Sequence, residues 1–145
     1  MNSFQESLNE LMIENNLNRL RLAKIVGVSS TAINGYYNSN SYPSIVTAVK
    51  LAGVFGCSLD YLFGLSDKKE PKYNAPNINT NNFYENLEKL ILQNNLSIAK
   101  TMKLLNIKED SFYNWRKGST PSMSNILAVA NYFDVSLDHL IFGNI

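Results

Sequence analysis

Only one histidine, His139, and one cysteine, Cys57, occur in the 145 residues. Two such side chains cannot supply the three or four soft ligands of a zinc site, and a lone cysteine allows no internal disulfide. A Ser–His or Cys–His nucleophilic pair would have to use His139, which lies in an apolar helical pattern near the C-terminus and reads as an ordinary structural or surface histidine. Acid pairs such as Glu85/Glu88 have a sufficient explanation at a helix start, and no glycine loop for phosphates is present. No catalytic set, metal or cofactor is expected. The clearest basic cluster is Arg116–Lys117 beside Trp115. Paired cations of this kind either neutralise phosphates or stand as solvated surface charge, and Trp115 is expected to complete a core rather than stack on a base.

Such a cluster needs a scaffold, and the composition allows one. Hydrophobic residues make up 45% of the chain, enough to bury a core. No run approaches the ~20 apolar residues of a membrane span, and MNSFQESLNE has neither the basic start nor the apolar stretch of a secretory signal. A soluble, cytoplasmic protein without a membrane partner is expected. The net charge of +1 gives little support for a nucleic-acid partner. Residues 1–67 carry four basic and five acidic side chains, residues 68–82 three and one, and residues 83–145 six of each.

The chain repeats itself. Phe4, Glu6, Leu8 and Leu11 recur 79 positions later as Phe83, Glu85, Leu87 and Leu90, and Asn15-Asn16-Leu17 returns as Asn94-Asn95-Leu96. Val28, Ile33 and Tyr36 correspond to Ile107, Phe112 and Trp115; Pro43 matches Pro121, and CSLDYLFG matches VSLDHLIFG. Two small domains, 1–66 and 82–145, are therefore expected, joined by a linker at 67–81 rich in asparagine and proline. Fifteen extended residues reach roughly 50 Å. Tyr73 and Ile78 are linker residues with the apolar surface to dock on a domain.

Each copy reads as five short helices, so the fold class is all-α. In the first copy Ser3-Phe4-Gln5-Glu6 reads as a capping box; Asn18, Ser29, Ser44 and Ser58 read as later caps, with Gly27, Gly56 and Gly64 as stops. In the second, Asn82-Phe83-Tyr84-Glu85 reads as the box, Ser97, Ser122 and Ser136 as caps, and Asn106 replaces the turn glycine. Leu62, Phe63 and Leu65, with Leu140, Ile141, Phe142 and Ile145, read as apolar domain ends that would serve a homodimer.

The stretch LNRLRLAKIVGVSSTAINGYYNSNSYPSIVTAVKLAGVFGCSLDYLFG resembles the Xre-type, lambda-repressor-like helix-turn-helix family without a gap. The resembling positions include Leu22-Ala23, Gly27-Val28-Ser29, Ile33, Pro43-Ser44 and Ser58-Leu59-Asp60-Tyr61-Leu62. The second copy is similar through Trp115-Arg116-Lys117-Gly118-Ser119-Thr120-Pro121 and Asn131-Tyr132-Phe133. The resemblance implies two tandem five-helix domains and a sequence-specific regulator of transcription, a repressor, binding double-stranded DNA with its third helix in the major groove. Carried over by position, it implies that Ser30, Thr31 and Asn34 face bases while Arg19 and Asn38 meet the backbone. In the second copy it places Glu109, Asp110, Tyr113 and Asn114 toward the groove, and Lys108, Arg116 and Lys117 on phosphates.

The second copy departs from the pattern. Glu109 and Asp110 would be repelled by phosphates and read better as acids favouring the dipole of a helix start that Lys108 does not cap. Thr101-Met102 replaces the usual Leu-Ala, and Gly35 in the first copy weakens its helix. The near-neutral recognition helices leave a second function open: a protein-interaction or antirepressor module with a protein partner.

Overall fold

The computed structural model describes residues 3–39, 41–71, 80–143 and 145. Among them every regular element is a helix. The chain divides into two compact units, residues 1–74 and 75–145. None of the helices is long and apolar enough to cross a membrane among the described residues.

The first unit holds α1 (Ser3–Glu14), α2 (Arg19–Val26), α3 (Ser30–Asn38), α4 (Ile45–Phe55) and α5 (Leu59–Leu62). Helices this short are marginal alone, so packing must hold them. Phe4, Leu8, Leu11, Leu22, Ile33, Ile45, Leu51, Leu59 and Leu62 are all buried. Phe4 centres the aromatic part of that core, stacked on Phe63 at 4.9 Å and edge-on to Tyr36 at 5.7 Å. Gln5 is buried beside it and donates through Nε2 to the Tyr36 carbonyl.

Local chemistry sets the helix ends. Asn18 accepts from the Arg21 N–H at 2.8 Å, Ser29 from Ala32, Ser44 from Thr47 and Ser58 from Tyr61. Gly27 and Gly56 close α2 and α4 at φ of 81° and 61°. The expected box at Ser3 does not hold, because Ser3 already lies within α1 and so is not the residue before the helix. The start of the expected linker is ordered on this unit: the Lys69 carbonyl accepts from the Ser58 N–H at 2.9 Å, and Lys69 Nζ reaches Glu14 at 3.5 Å. Tyr73 and Ile78 lie outside the described residues.

Gly64 has φ +72°, and a Cβ there would stand 2.6 Å from Ser3 Cβ and 3.2 Å from the Ser3 carbonyl oxygen. Gly64→Ala is expected to destabilise the first unit by about 1–2 kcal/mol, from left-handed strain plus the clash. Urea melting followed by far-UV circular dichroism checks this; an unchanged midpoint would refute it.

The second unit holds α6 (Thr80–Gln93), α7 (Ile98–Leu104), α8 (Glu109–Arg116), α9 (Met123–Phe133) and α10 (Leu137–Phe142). Ser97, Ser122 and Ser136 cap α7, α9 and α10, and Lys108 precedes α8 without a side-chain cap bond. Asn106 takes the left-handed turn at φ 57°. Asp134 ends α9 in the same conformation at φ 53°. The expected box at Asn82 is incorrect: α6 starts two residues earlier, at Thr80, so Asn82 lies inside the helix.

Phe83, Leu87, Met102, Phe112, Trp115, Ile126 and Leu140 are buried, and Trp115 stands edge-on to Phe83 at 5.4 Å. Thr101 is buried without penalty because its hydroxyl donates to the Ser97 carbonyl at 2.8 Å within α7. Asn86, 1% exposed, ties α6 to the chain end: its Nδ2 donates to the carbonyls of Leu140 at 2.9 Å and Gly143 at 3.0 Å, and its Oδ1 accepts from the Ile145 N–H at 3.1 Å.

The apolar domain ends differ from expectation. Leu62, Phe63, Leu140 and Ile141 are core residues of their own units, because α5 and α10 pack back on α1 and α6. Leu65 remains exposed.

Candidate nucleic-acid interface

In the first unit α2, the Gly27-Val28-Ser29 turn and α3 form one packed pair. Leu22, Ala23 and Val26 bury the inner face of α2, and Ile33 and Tyr36 seat α3. The small Ala23 side chain permits the close crossing. That seating turns Ser30 and Thr31 outward at the first turn of α3, both exposed, with Ser29 caught as the cap. Asn38, the last residue of α3, is exposed, and Asn34 is half-buried.

Two of the expected site residues are brought together. Arg19, the first residue of α2, donates from Nη1 to Asn34 Oδ1 at 3.1 Å. Its guanidinium also lies over the Tyr37 ring, 4.1 Å from the centroid. Tyr37 is anchored in turn by a bond from its hydroxyl to Met12 Sδ at 2.9 Å. Burial pushes the Tyr37 phenol above its ordinary pKa, against the pull of the Arg19 charge. Sequence reading did not single out Tyr37. No local pattern links it to Arg19, 18 positions away; only the α2–α3 crossing does.

In the second unit α7, the turn through Asn106 and α8 occupy the corresponding stretch of the chain. Lys108, Glu109, Asp110, Tyr113, Asn114, Arg116 and Lys117 are all exposed. Trp115 is buried, 5% exposed, and is therefore a core residue. Tyr113 packs edge-on against Phe112 at 5.6 Å. The clamp has no counterpart here, since the repeat puts Ile98, Tyr113 and Arg116 at the positions of Arg19, Asn34 and Tyr37. Tyr84 on α6 donates to Glu88 Oε2 at 2.7 Å. Burial first and then this bond to Glu88 raise its pKa, and the nearby Arg116 charge opposes them.

Charge separates by element within the near-neutral totals. Helix α1 carries Glu6, Glu10 and Glu14 and no base, whereas α2 carries Arg19, Arg21 and Lys24 and no acid; all six side chains are exposed. Residues 97–120 carry five basic and two acidic side chains. Both local excesses cancel in the whole-domain totals. Backbone N–H groups, hydroxyls, amides and cations at such helix ends are suited to phosphate oxygens and base edges.

Residues 8–62 match the family described as Helix-turn-helix, and the matched segment takes in α2, the turn and α3. A curated protein from Bacillus subtilis (strain 168), named "Uncharacterized HTH-type transcriptional regulator YobD", is 30% identical over 73 residues. That alignment covers 50% of this chain, and the chain spans 65% of the relative's length. No solved structure matches the chain.

Proposed function

We propose that the chain is a sequence-specific double-stranded-DNA-binding transcriptional regulator acting as a repressor. The observation that carries this reading is the α2–α3 pair of the matched segment, with exposed Ser30 and Thr31 and the Arg19–Asn34 bond. In it α3 enters the major groove, Ser30, Thr31 and Asn34 address base edges, and Arg19 and Asn38 stand nearest the backbone.

The second unit is read as a tandem copy of the same domain, with copies at 1–66 and 82–145 and a linker at 67–81. The sequence repeat and the matching caps support it. There Lys108, Arg116 and Lys117 take phosphates and Tyr113 and Asn114 approach the groove. Specific binding needs two recognition helices roughly 34 Å apart, from the two copies of one chain or from a homodimer in the cytoplasm. The reading is non-enzymatic.

Fluorescence anisotropy on a random duplex pool at ~50 mM and ~150 mM salt, with sequencing of the retained DNA, tests this. A retained motif whose affinity falls steeply with salt is expected. No retention at the lower salt would sink the reading. The acidic start of α8 would then favour a protein-interaction module with a protein partner.

A further inference from the structure

Arg19 is held at two points, by its bond to Asn34 Oδ1 and by the Tyr37 ring beneath it. A guanidinium has donors only, so the group of Asn34 that faces it must be the amide oxygen. The amide is thereby locked against flipping, and its NH2 is directed away from Arg19. An unconstrained asparagine pairs with adenine by using both groups: the NH2 gives to N7 and the oxygen takes from N6. The oxygen keeps a second lone pair, but the Arg19 bond turns it toward α2, so the NH2 donors are what Asn34 offers first. Guanine presents two acceptors, N7 and O6, at the same edge.

We infer that the Arg19 clamp makes Asn34 a donor-type reader that selects guanine over adenine, with Tyr37 as the positioning residue that holds the clamp; this rests on the duplex-binding reading above. The Tyr37 ring restricts the guanidinium to the side of α3 that carries Asn34. Its hydroxyl bond to Met12 restricts the ring in turn. Specificity at one base pair is thus set by a residue on the first helix of the motif.

The test is sequencing of DNA retained from a random pool by the wild-type chain, Arg19→Ala, Tyr37→Leu and Tyr37→Phe, each checked by circular dichroism for retained helix. In the wild type, guanine is expected over adenine by about tenfold at one position of the motif, the size of one well-placed edge contact. Arg19→Ala and Tyr37→Leu are expected to shift that position toward adenine, since the freed amide oxygen can take the N6 proton. Tyr37→Phe, which keeps the ring under the cation and loses only its tie to Met12, is expected to weaken the guanine preference less than Tyr37→Leu does. If Arg19→Ala lowers affinity equally for all sequences and leaves the guanine preference intact, Arg19 serves the backbone alone and the inference is wrong. Loss of guanine without gain of adenine also overturns it, because Arg19 itself would then be the reader. A wild-type chain that retains no motif removes the duplex-binding reading and this inference together, whereas a wild-type motif unchanged in Arg19→Ala removes the inference alone.

Discussion

The triple variant Lys108→Gln, Arg116→Gln, Lys117→Gln is expected to bind duplex DNA about a hundredfold more weakly than the wild type at ~150 mM salt. Each neutralised phosphate contributes about 0.9 to the slope of log affinity on log salt, so three lost contacts make the slope shallower by about 2.7. At ~150 mM that slope difference corresponds to roughly two decades, and to more at lower salt. All three side chains are exposed at the end of α8 or just before its start, and none is part of the core. Neutralising them is therefore expected to leave stability within about 0.5 kcal/mol. A salt titration of anisotropy separates the outcomes. An unchanged slope would mean that the second unit does not grip the backbone and that binding resides in the first unit alone.

Asn86→Leu is expected to destabilise the second unit by about 2–4 kcal/mol. The amide satisfies the buried carbonyls of Leu140 and Gly143 and takes the N–H of Ile145. Leucine fills a similar volume but leaves those groups without this partner, and each buried polar group so stranded costs about 1–3 kcal/mol. For a unit of this size the melting temperature should fall by about 10 °C or more. Trp115 is the single tryptophan and lies in this unit, so its emission follows the unit directly. A transition that moves by less than about 2 °C would show that the latch contributes little.

Asn86 was legible in principle. It falls on the apolar stripe of α6, between Phe83, Leu87 and Leu90, where a polar side chain must find partners. What it bonds lies more than 50 residues away, and no spacing rule reaches that far. The same limit applies to the domain ends. Leu62, Phe63, Leu140 and Ile141 are apolar in sequence, which predicts burial but not against what; the return of α5 and α10 onto their own units decided that.

By itself the sequence determined the helices and most of their ends. A cap needs one side chain to meet an N–H two or three residues ahead, and a left-handed stop needs one residue without strain. Asn18, Ser29, Ser44, Ser58, Ser97, Ser122 and Ser136 therefore stand where local chemistry puts them. Even so, a four-residue pattern can recur by chance, and the helix that starts at Thr80 overran the box at Asn82. The candidate reading residues were likewise legible as positions on α3 and α8. Their state was not. Arg19 meets Asn34 and Tyr37 only because Ala23, Ile33 and Tyr36 let α2 and α3 pack at close range. Hydrogen bonds and ring contacts across that crossing depend on distance in space, which the order of residues along a chain does not contain.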